Sequence, residues 1–201
     1  MTLEELRRRL ASRPPSPTVY GDEGARPEPE LLRPAAVLVP IVDRAPAPTV
    51  LLTQRAAHLK DHSGQVSFPG GRVHAEDPTP EATALREARE EIGLDPGRVE
   101  VLGRMPEYHT RTGFRITPVV AIVTPPFELL PDVNEVEEIF EVPLAFLLDP
   151  ANHQRQSRIW QGEERWFYAM PYERYYIWGA TAGMLVNLAN HLAAVQPRGR
   201  L

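Results

Sequence analysis

The chain has 201 residues, which is enough for one domain with a sizeable hydrophobic core and leaves little room for two. Its formal net charge of −5 argues against general nucleic-acid binding, although a local basic pocket stays compatible with it. It contains no cysteine, which excludes disulfides, a thiol nucleophile and thiolate metal sites. No apolar run is long enough to cross a bilayer, and the acidic start at Glu4 and Glu5 is unlike a secretory signal. We therefore expect a cytoplasmic protein that binds neither membranes nor nucleic acids.

The N-terminal part of the chain predicts a helix followed by an arm. Leucines recur at the spacing of an amphipathic helix over residues 2–11, with Thr2 as its N-cap. Residues 12–34 are rich in proline, glycine and charged residues, which fits either an ordered arm or a loose linker. We therefore assign residues 1–34 to an N-terminal helix and arm, and residues 35–195 to the main domain.

The main domain predicts strands and helices in no regular alternation. One helix begins after its N-cap Thr79 and runs to about Ile92, with Gly93 as its stop, and a closing helix covers residues 181–194. Pro40 predicts an edge position or a bulge for the first strand. This irregular order favours an α+β fold with a mixed β-sheet between helices. Strands are predicted at residues 35–42, 49–54, 66–68, 98–105, 114–123, 136–142, 158–162 and 165–170.

Three glutamates of the first main-domain helix, Glu87, Glu90 and Glu91, fall on one narrow arc at about 100° per residue. Carboxylates so close together repel each other, and a bound cation would relieve that repulsion. Ligands that are all oxygen favour a hard ion, so we expect Mg²⁺ or Mn²⁺ rather than Zn²⁺. Taken alone, the glutamates also fit a solvated acidic helix face. The glycine pair at residues 70–71 before the helix and Gly93 at its end favour a catalytic role for the three glutamates.

The segment from Gly71 to Leu94 resembles a Nudix box. Its second half, which begins at Arg86, matches the family pattern residue by residue. The first half is one residue longer than the general pattern, and the acid six positions after Gly71 is Asp77 rather than glutamate, with Glu76 beside it. The resemblance implies a Nudix hydrolase with an α/β/α sandwich and a mixed β-sheet between helices.

The segment before the box narrows this resemblance. Residues 51–71 contain Leu-Leu-Thr-Gln-Arg-Ala and end in Gly-Gln-Val-Ser-Phe-Pro-Gly-Gly, which is similar to the signature of the coenzyme A pyrophosphatase branch. The lengthened spacing from Gly71 to Arg86 and the later residues 176–182 are also typical of that branch. The resemblance covers about residues 35–190. It implies hydrolysis of coenzyme A or its derivatives to 3′,5′-ADP and 4′-phosphopantetheine, or an acyl derivative of the latter.

Five residues before the box are candidates for substrate binding. Arg55 offers a bidentate fork and Lys60 a point charge, and either is a candidate for holding the 3′-phosphate of coenzyme A. His62 is a candidate hydrogen-bond donor to phosphate, while Gly70 and Gly71 allow the main chain to approach a ligand closely. Each polar side chain also has an ordinary interpretation, namely a surface ion pair for Arg55, a solvated lysine for Lys60 and a loop residue for His62.

The resemblance and the helical spacing together suggest roles for the acidic residues. We expect Glu87 and Glu91 to bind the metal directly, and Glu90 to be a third ligand or to orient the attacking water. Arg86 lies four residues before Glu90 and can pair with it. Glu135 enters a predicted strand from a loop and is the downstream candidate for the general base, in competition with the two glutamates that follow Val136. A solvent-facing position at the strand edge is the alternative for Glu135.

Aromatic residues concentrate between residues 160 and 178, where strand spacing favours a core role over stacking on an adenine ring. Two other functions stay open. One is a Nudix pyrophosphatase for another nucleoside diphosphate, such as ADP-ribose, NADH or a damaged nucleotide. The other is a non-catalytic module that senses a nucleotide, which the intact set of three box glutamates opposes. The sequence does not indicate the oligomeric state.

Overall fold

A computed structural model gives the structure of the protein and describes residues 1–11, 20–21, 31–160 and 162–193. Most of the predicted arm, residues 12–19 and 22–30, lies outside this part of the chain. The helices are α1 (Leu3–Ala11), α2 (Pro80–Ile92), α3 (Leu144–Leu148) and α4 (Gly179–Ala193). The strands are β1 (Tyr20–Gly21), β2 (Arg33–Val42), β3 (Thr49–Arg55), β4 (Val66–Ser67), β5 (Gly70–Arg72), β6 (Val99–Arg104), β7 (Tyr108–His109), β8 (Phe114–Val123), β9 (Val136–Pro143), β10 (Gln154–Trp160), β11 (Glu163–Tyr172) and β12 (Tyr175–Trp178).

The main sheet is mixed and is organised around β2. This strand pairs in parallel with β8 along its whole length, from Arg33 opposite Phe114 to Val42 opposite Val123. On its other side it pairs antiparallel with β5 and β3, while β9 extends the sheet beyond β3 and β6 and β7 pair with β8. A smaller antiparallel sheet contains β10, β11 and β12. None of the helices in the described residues is long and apolar enough to cross a membrane.

Pro40 lies in the central strand, so the prediction of an edge position or a bulge was wrong. The register of β2 with β8 is unbroken, but on the opposite side β5 pairs with residues 35–37 and β3 with residues 41–42. Between these two pairings the N–H of Leu38 donates to the carbonyl of Pro69 at 2.8 Å. Because N–H groups alternate between the two sides of a strand, the missing N–H of Pro40 faces the same interruption in the sheet and leaves no ladder bond broken.

Helix α2 covers one face of the main sheet. Its buried residues Ala84, Ala88 and Ile92 pack against Leu38 of β2 and Val119 of β8. Helices α1, α3 and α4 and the small sheet cover the other face, around a second and larger apolar cluster. Two apolar cores therefore lie on opposite faces of one mixed sheet, which confirms the predicted α+β fold with an α/β/α sandwich.

Both ends of α2 are formed as predicted. The hydroxyl of Thr79 accepts a hydrogen bond from the N–H of Ala82 at 3.2 Å, and Pro80 occupies the first helical position. Gly93 adopts a left-handed φ of 67°, and its N–H donates to the carbonyl of Arg89 at 3.0 Å. These two caps set the length of the helix that carries the box glutamates.

The C-terminal hairpin differs from its prediction in length and in the burial of its aromatic residues. Strands β10 and β11 are both longer than predicted, and β12 was not predicted as a strand. Trp160, Trp166 and Tyr176 are 48%, 38% and 43% exposed, so the prediction of a core role was wrong for all three. It was right for Tyr168, Tyr172 and Tyr175, which pack against the larger core. Alternation along a strand predicts which residues share a face but not whether another element covers that face.

Helix α1 is joined to the main domain by packing and by polar contacts. Leu6 is fully buried, at 0% exposure, within the larger core. Arg7 forms an ion pair with Glu100 at the start of β6, and the guanidinium of Arg9 donates to the carbonyl of Leu192 in α4 at 2.7 Å. The assignment of this helix to a separate N-terminal part, residues 1–34, stays a prediction that these contacts make testable.

We predict that Leu6→Ala lowers the free energy of unfolding of the whole chain by about 2–5 kcal/mol, because a cavity forms in the shared core. The exposed Arg8 on the same helix provides the control, and Arg8→Ala should change the free energy by less than about 1 kcal/mol. Urea denaturation followed by circular dichroism measures both values. A native-like midpoint for Leu6→Ala would mean that α1 does not contribute to the core.

Candidate active site

The loop after β3, strand β5 and helix α2 meet at a cleft of about 530 Å³. The cleft brings together residues that are more than seventy positions apart in the sequence. Of the predicted site residues, those that line it are Arg55, His62, Gly70, Gly71, Glu87, Glu91 and Glu135.

Glu91 is the most deeply buried acid of this cleft, with its side chain only 5% exposed. One carboxylate oxygen accepts a hydrogen bond from the N–H of Gly70 at 3.1 Å, and the other lies 3.9 Å from a guanidinium nitrogen of Arg55. Burial raises the pKa of Glu91 to about 8, and the charges of Glu135 and Glu87 act in the same direction. The ionised form of Glu91 is therefore costly until a positive charge compensates it.

The backbone at Gly70 and Gly71 lies very close to strand β2 and to the side chain of Glu87. A Cβ atom built on Gly71 would lie 2.6 Å from the carboxylate of Glu87, and one on Gly70 would lie 2.5 Å from the carbonyl oxygen of Ala36. A side chain at residue 70 would push β5 away from the backbone of β2, whereas one at residue 71 would displace the carboxylate of Glu87 from its place against β5. The two glycines thus allow the backbone of β5 to lie directly against the acidic face of the helix.

Arg86 organises the outer part of the site. Its Nε and one Nη donate to the two carboxylate oxygens of Asp77, and the same Nη also donates to the carbonyl of Arg72 at 3.1 Å. Its second Nη donates to Glu87 and to Glu90, at 2.9 Å each. These five contacts match the five N–H groups of a guanidinium, so the side chain is held from both the helix and the loop before it.

Asp77 stands where the general pattern of the box has a glutamate. The contacts of its carboxylate in the structure account for an acidic residue at this position. Besides binding Arg86, its carboxylate accepts hydrogen bonds from the N–H of His74 and from the hydroxyl of Thr83. The hydrogen bonds from Arg86 above all, and then those from His74 and Thr83, hold the pKa of Asp77 well below its ordinary value, so the residue is ionised at neutral pH. Asp77 therefore positions Arg86 and is not among the residues that line the cleft.

The cationic candidates occupy different places. Arg55 lies in the cleft beside Glu91, and its Nε is buried without a hydrogen-bond partner in the described part of the chain. His62 also lines the cleft, and its Nδ1 is 2.9 Å from the side-chain oxygen of Gln65. Lys60 is exposed in the same loop and is not among the residues that line the cleft. The structure thus brings Arg55 and His62 to the glutamates and leaves Lys60 outside.

Of the downstream glutamates, Glu135 is the one that faces the cleft. Its carbonyl accepts a hydrogen bond from the N–H of Ala56 at 2.9 Å, which ties the start of β9 to the end of β3. Glu138 is engaged elsewhere, with Arg174 and with the hydroxyl of Tyr175. Glu137 is exposed and does not line the cleft.

The residues present fit a divalent cation. No three Asp, Glu or His side chains among the described residues converge into a ready-made metal site, and Arg86 holds the carboxylates of Glu87 and Glu90. Glu90 is 59% exposed, whereas the buried Glu91 faces into the cleft. A hard cation held by Glu87 and Glu91, with water and substrate oxygens completing its shell, would match this oxygen-only donor set. It would also compensate the charge that burial makes costly at Glu91.

Comparison with known proteins finds Nudix proteins both by sequence and by fold. Residues 32–166 match the NUDIX domain family. The uncharacterized Nudix hydrolase NudL of Escherichia coli strain K12 is 44% identical over 157 residues, which cover 78% of this chain and 81% of that protein. NudL of Shigella flexneri serotype 5b is also 44% identical, over 81% of this chain and 84% of that protein. The crystal structure of the Nudix hydrolase RenU from M. smegmatis matches with a TM-score of 0.56 at 22% identity, over 84% of this chain and 90% of that one.

The RenU match shows the fold alone, because its sequence identity is low. The family match and the NudL relatives each cover more than half of the chain, and they include the glycine pair, the acidic helix and the cleft between them. Nudix hydrolases generally use divalent metal ions, in keeping with the acidic cleft. The chain therefore belongs to the Nudix hydrolase family, whose members cleave phosphoanhydride bonds.

Proposed function

We propose that the protein hydrolyses the pyrophosphate bond of coenzyme A or its derivatives to 3′,5′-ADP and 4′-phosphopantetheine, or an acyl derivative. The observation that carries the proposal is the meeting of two segments in one cleft. Residues 51–71, which resemble the coenzyme A pyrophosphatase signature, contribute Arg55, His62 and the glycine pair to the same cleft as Glu87 and Glu91. A signature segment placed against the hydrolytic residues is suitably located to select the substrate.

The charges of the cleft favour a metal-dependent reaction. Three glutamates, Glu87, Glu91 and Glu135, line the cleft together with two arginines, Arg72 and Arg55, of which Arg55 lies beside Glu91. A diphosphate would be repelled by this excess of carboxylates unless a cation lay between them. We propose that Glu87 and Glu91 hold Mg²⁺ or Mn²⁺, which neutralises diphosphate oxygens and lowers the pKa of water when bound. Glu90, bonded to Arg86 and largely exposed, is less well placed than Glu91 to be a ligand.

Three further side chains have roles in substrate binding, in positioning Glu87 and in proton transfer. The Nε of Arg55 is buried in the cleft without a hydrogen-bond partner among the described residues, so it is suited to donate to a diphosphate oxygen. Arg86 keeps the carboxylate of Glu87 in one orientation, so the ligand is held before substrate binds. Glu135 lines the cleft from its exposed side and is the candidate that accepts a proton from the attacking water.

We predict that the purified protein with Mg²⁺ or Mn²⁺ converts coenzyme A to 3′,5′-ADP and 4′-phosphopantetheine, identified by mass spectrometry. In a panel with ADP-ribose, NADH and other nucleoside diphosphates, coenzyme A or an acyl derivative should give the highest kcat/KM. A higher kcat/KM for ADP-ribose or NADH would reject the coenzyme A assignment and leave the Nudix hydrolase assignment intact. Absence of turnover for the whole panel would instead support the sensing alternative.

We predict that Glu87→Gln and Glu91→Gln each lower kcat by at least about 10²–10³, since each removes a charged ligand of the cation. Circular dichroism should show both variants folded, because neither residue belongs to the apolar face of α2. The exposed Glu137, which does not line the cleft, provides the matched control, and Glu137→Gln should keep near-native activity. Native-like rates for both box variants would refute the assignment of this helix.

The raised pKa of Glu91 predicts a pH dependence of stability in metal-free buffer. Folded Glu91 has a pKa of about 8, above its ordinary value of 4.5, so the folded state binds the proton more tightly than the unfolded state. The resulting stabilisation is complete below about pH 4.5 and is lost as the pH rises through 8. Relative to Glu91→Gln, the free energy of unfolding of the unmodified chain should therefore fall across this range, with a slope approaching about 1.4 kcal/mol per pH unit.

Urea denaturation in EDTA at a series of pH values measures this difference. The Glu137→Gln variant should follow the unmodified chain at every pH, because its carboxyl group is exposed. Saturating Mg²⁺ or Mn²⁺ should flatten the difference by favouring ionised Glu91. Parallel curves for Glu91→Gln and the unmodified chain in EDTA would show that Glu91 titrates normally.

A further inference from the structure

The cleft of about 530 Å³ that contains Glu87 and Glu91 is called the catalytic cleft below. A second cleft, of about 400 Å³, adjoins it. The two share four lining residues, His62, Gln65, Phe114 and Ile116, so they are continuous across this boundary. The outer wall of the second cleft is the hairpin of β10 and β11, together with the end of β12. A ligand whose diphosphate lies against the glutamates can therefore extend one of its halves into this second cleft.

The walls of the second cleft are strongly aromatic. Trp160 lines it although it is 48% exposed, and Phe167 and Trp178 on the same face of the small sheet stand edge to face with ring centroids 5.4 Å apart. Trp166 also borders the cleft, but it precedes Phe167 on β11, so its ring lies on the opposite face of the sheet, against Arg155. Indole rings exposed on a hairpin bury little apolar surface within their own chain. They offer flat faces on which a planar heterocycle can stack, and such stacking contributes about 1–3 kcal/mol per base.

Three arginines line this aromatic cleft, and because Arg111 is paired with Glu163 at 3.7 Å, Arg158 and Arg165 give the cleft its positive charge. The guanidinium groups of Arg158 and Arg165 lie 5.7 Å and 6.0 Å from the ring centroid of Trp160. Neither arginine forms an ion pair with a carboxylate in the part of the chain that the structure describes. The Nε of Arg165 is also buried without a hydrogen-bond partner among the described residues. A buried donor of this kind is costly unless a ligand supplies an acceptor, and a phosphate oxygen is the strongest acceptor for it.

We propose that the second cleft binds the 3′-phosphorylated adenosine of the substrate, with adenine against Trp160 and the 3′-phosphate at Arg158 and Arg165, which share one face of the hairpin with Trp160. This inference rests on the proposed hydrolysis of coenzyme A. The pantetheine half has neither an aromatic ring nor an anion at its far end, so it would leave both guanidinium groups uncompensated. The inference also moves recognition of the 3′-phosphate away from Arg55, which faces Glu91, and from Lys60, which lines neither cleft.

Steady-state kinetics of Arg158→Ala and Arg165→Ala with two substrates test this assignment. Each variant should raise KM for coenzyme A about tenfold or more with kcat little changed, since the 3′-phosphate is remote from the bond that breaks. Dephospho-coenzyme A lacks that phosphate, so its KM should change less than about threefold. Trp160→Leu should instead raise KM for both substrates, because both carry adenine. The exposed Arg98, which lines neither cleft, provides the control, and Arg98→Ala should change neither KM.

Calorimetric binding of 3′,5′-ADP and 5′-AMP provides a readout that does not need turnover. The unmodified protein should bind 3′,5′-ADP more tightly than 5′-AMP, and Arg165→Ala should remove most of that preference. If coenzyme A is hydrolysed but the arginine variants affect both substrates equally or not at all, the cleft assignment is overturned and the proposed function stands. If coenzyme A is not hydrolysed, the proposed function fails, while an arginine-dependent preference for 3′,5′-ADP would still support the cleft assignment. Equal binding of the two nucleotides would overturn it.

Discussion

The carboxylate of Glu91 is buried against the backbone of Gly70, where an uncompensated negative charge is costly. Several features of the catalytic side of the molecule follow from this constraint. Gly70 lets β5 lie against β2 and Gly71 leaves room for the carboxylate of Glu87, while Arg55 enters the cleft from the end of β3. The hydrogen bond from Gly70 and the guanidinium of Arg55 at 3.9 Å do not offset the burial of Glu91 and the nearby charges of Glu87 and Glu135, which together raise its pKa. Ionised Glu91 is therefore costly in the cleft as it stands, and a bound divalent cation would relieve that cost.

Arg86 gives this acidic site a rigid frame. Its guanidinium joins Asp77 and the carbonyl of Arg72, which precede the helix, to Glu87 and Glu90 on the helix. Because all of these contacts use charged or backbone acceptors, the orientation of Glu87 is determined before any ligand arrives. The two caps of α2, and the packing of its apolar face on the main sheet, hold the helix itself in place. Packing and polar contacts therefore position the acidic groups together.

The two adjoining clefts suggest how one site treats the two halves of an asymmetric substrate. The catalytic cleft is acidic and suited to a cation and a diphosphate, whereas the second cleft is aromatic and basic. Under the proposed function, the catalytic cleft binds the diphosphate whose bond is broken, and the second cleft binds the phosphorylated nucleoside. Binding energy from the remote half would then lower KM without changing the chemical step. Substrate choice would depend on the C-terminal hairpin as well as on the signature segment before the box.

The sequence by itself determined the features that depend on near neighbours in the chain. The caps of α2 at Thr79 and Gly93, the arc of its glutamates and the two-faced sheet follow from residues within a turn or a strand of each other. Only the tertiary structure decided that Pro40 lies in a central strand, that Asp77 holds Arg86 and that the hairpin tryptophans line a cleft. The physical reason is that burial and pairing depend on which distant segments cover a residue, and local periodicity carries no information about that cover.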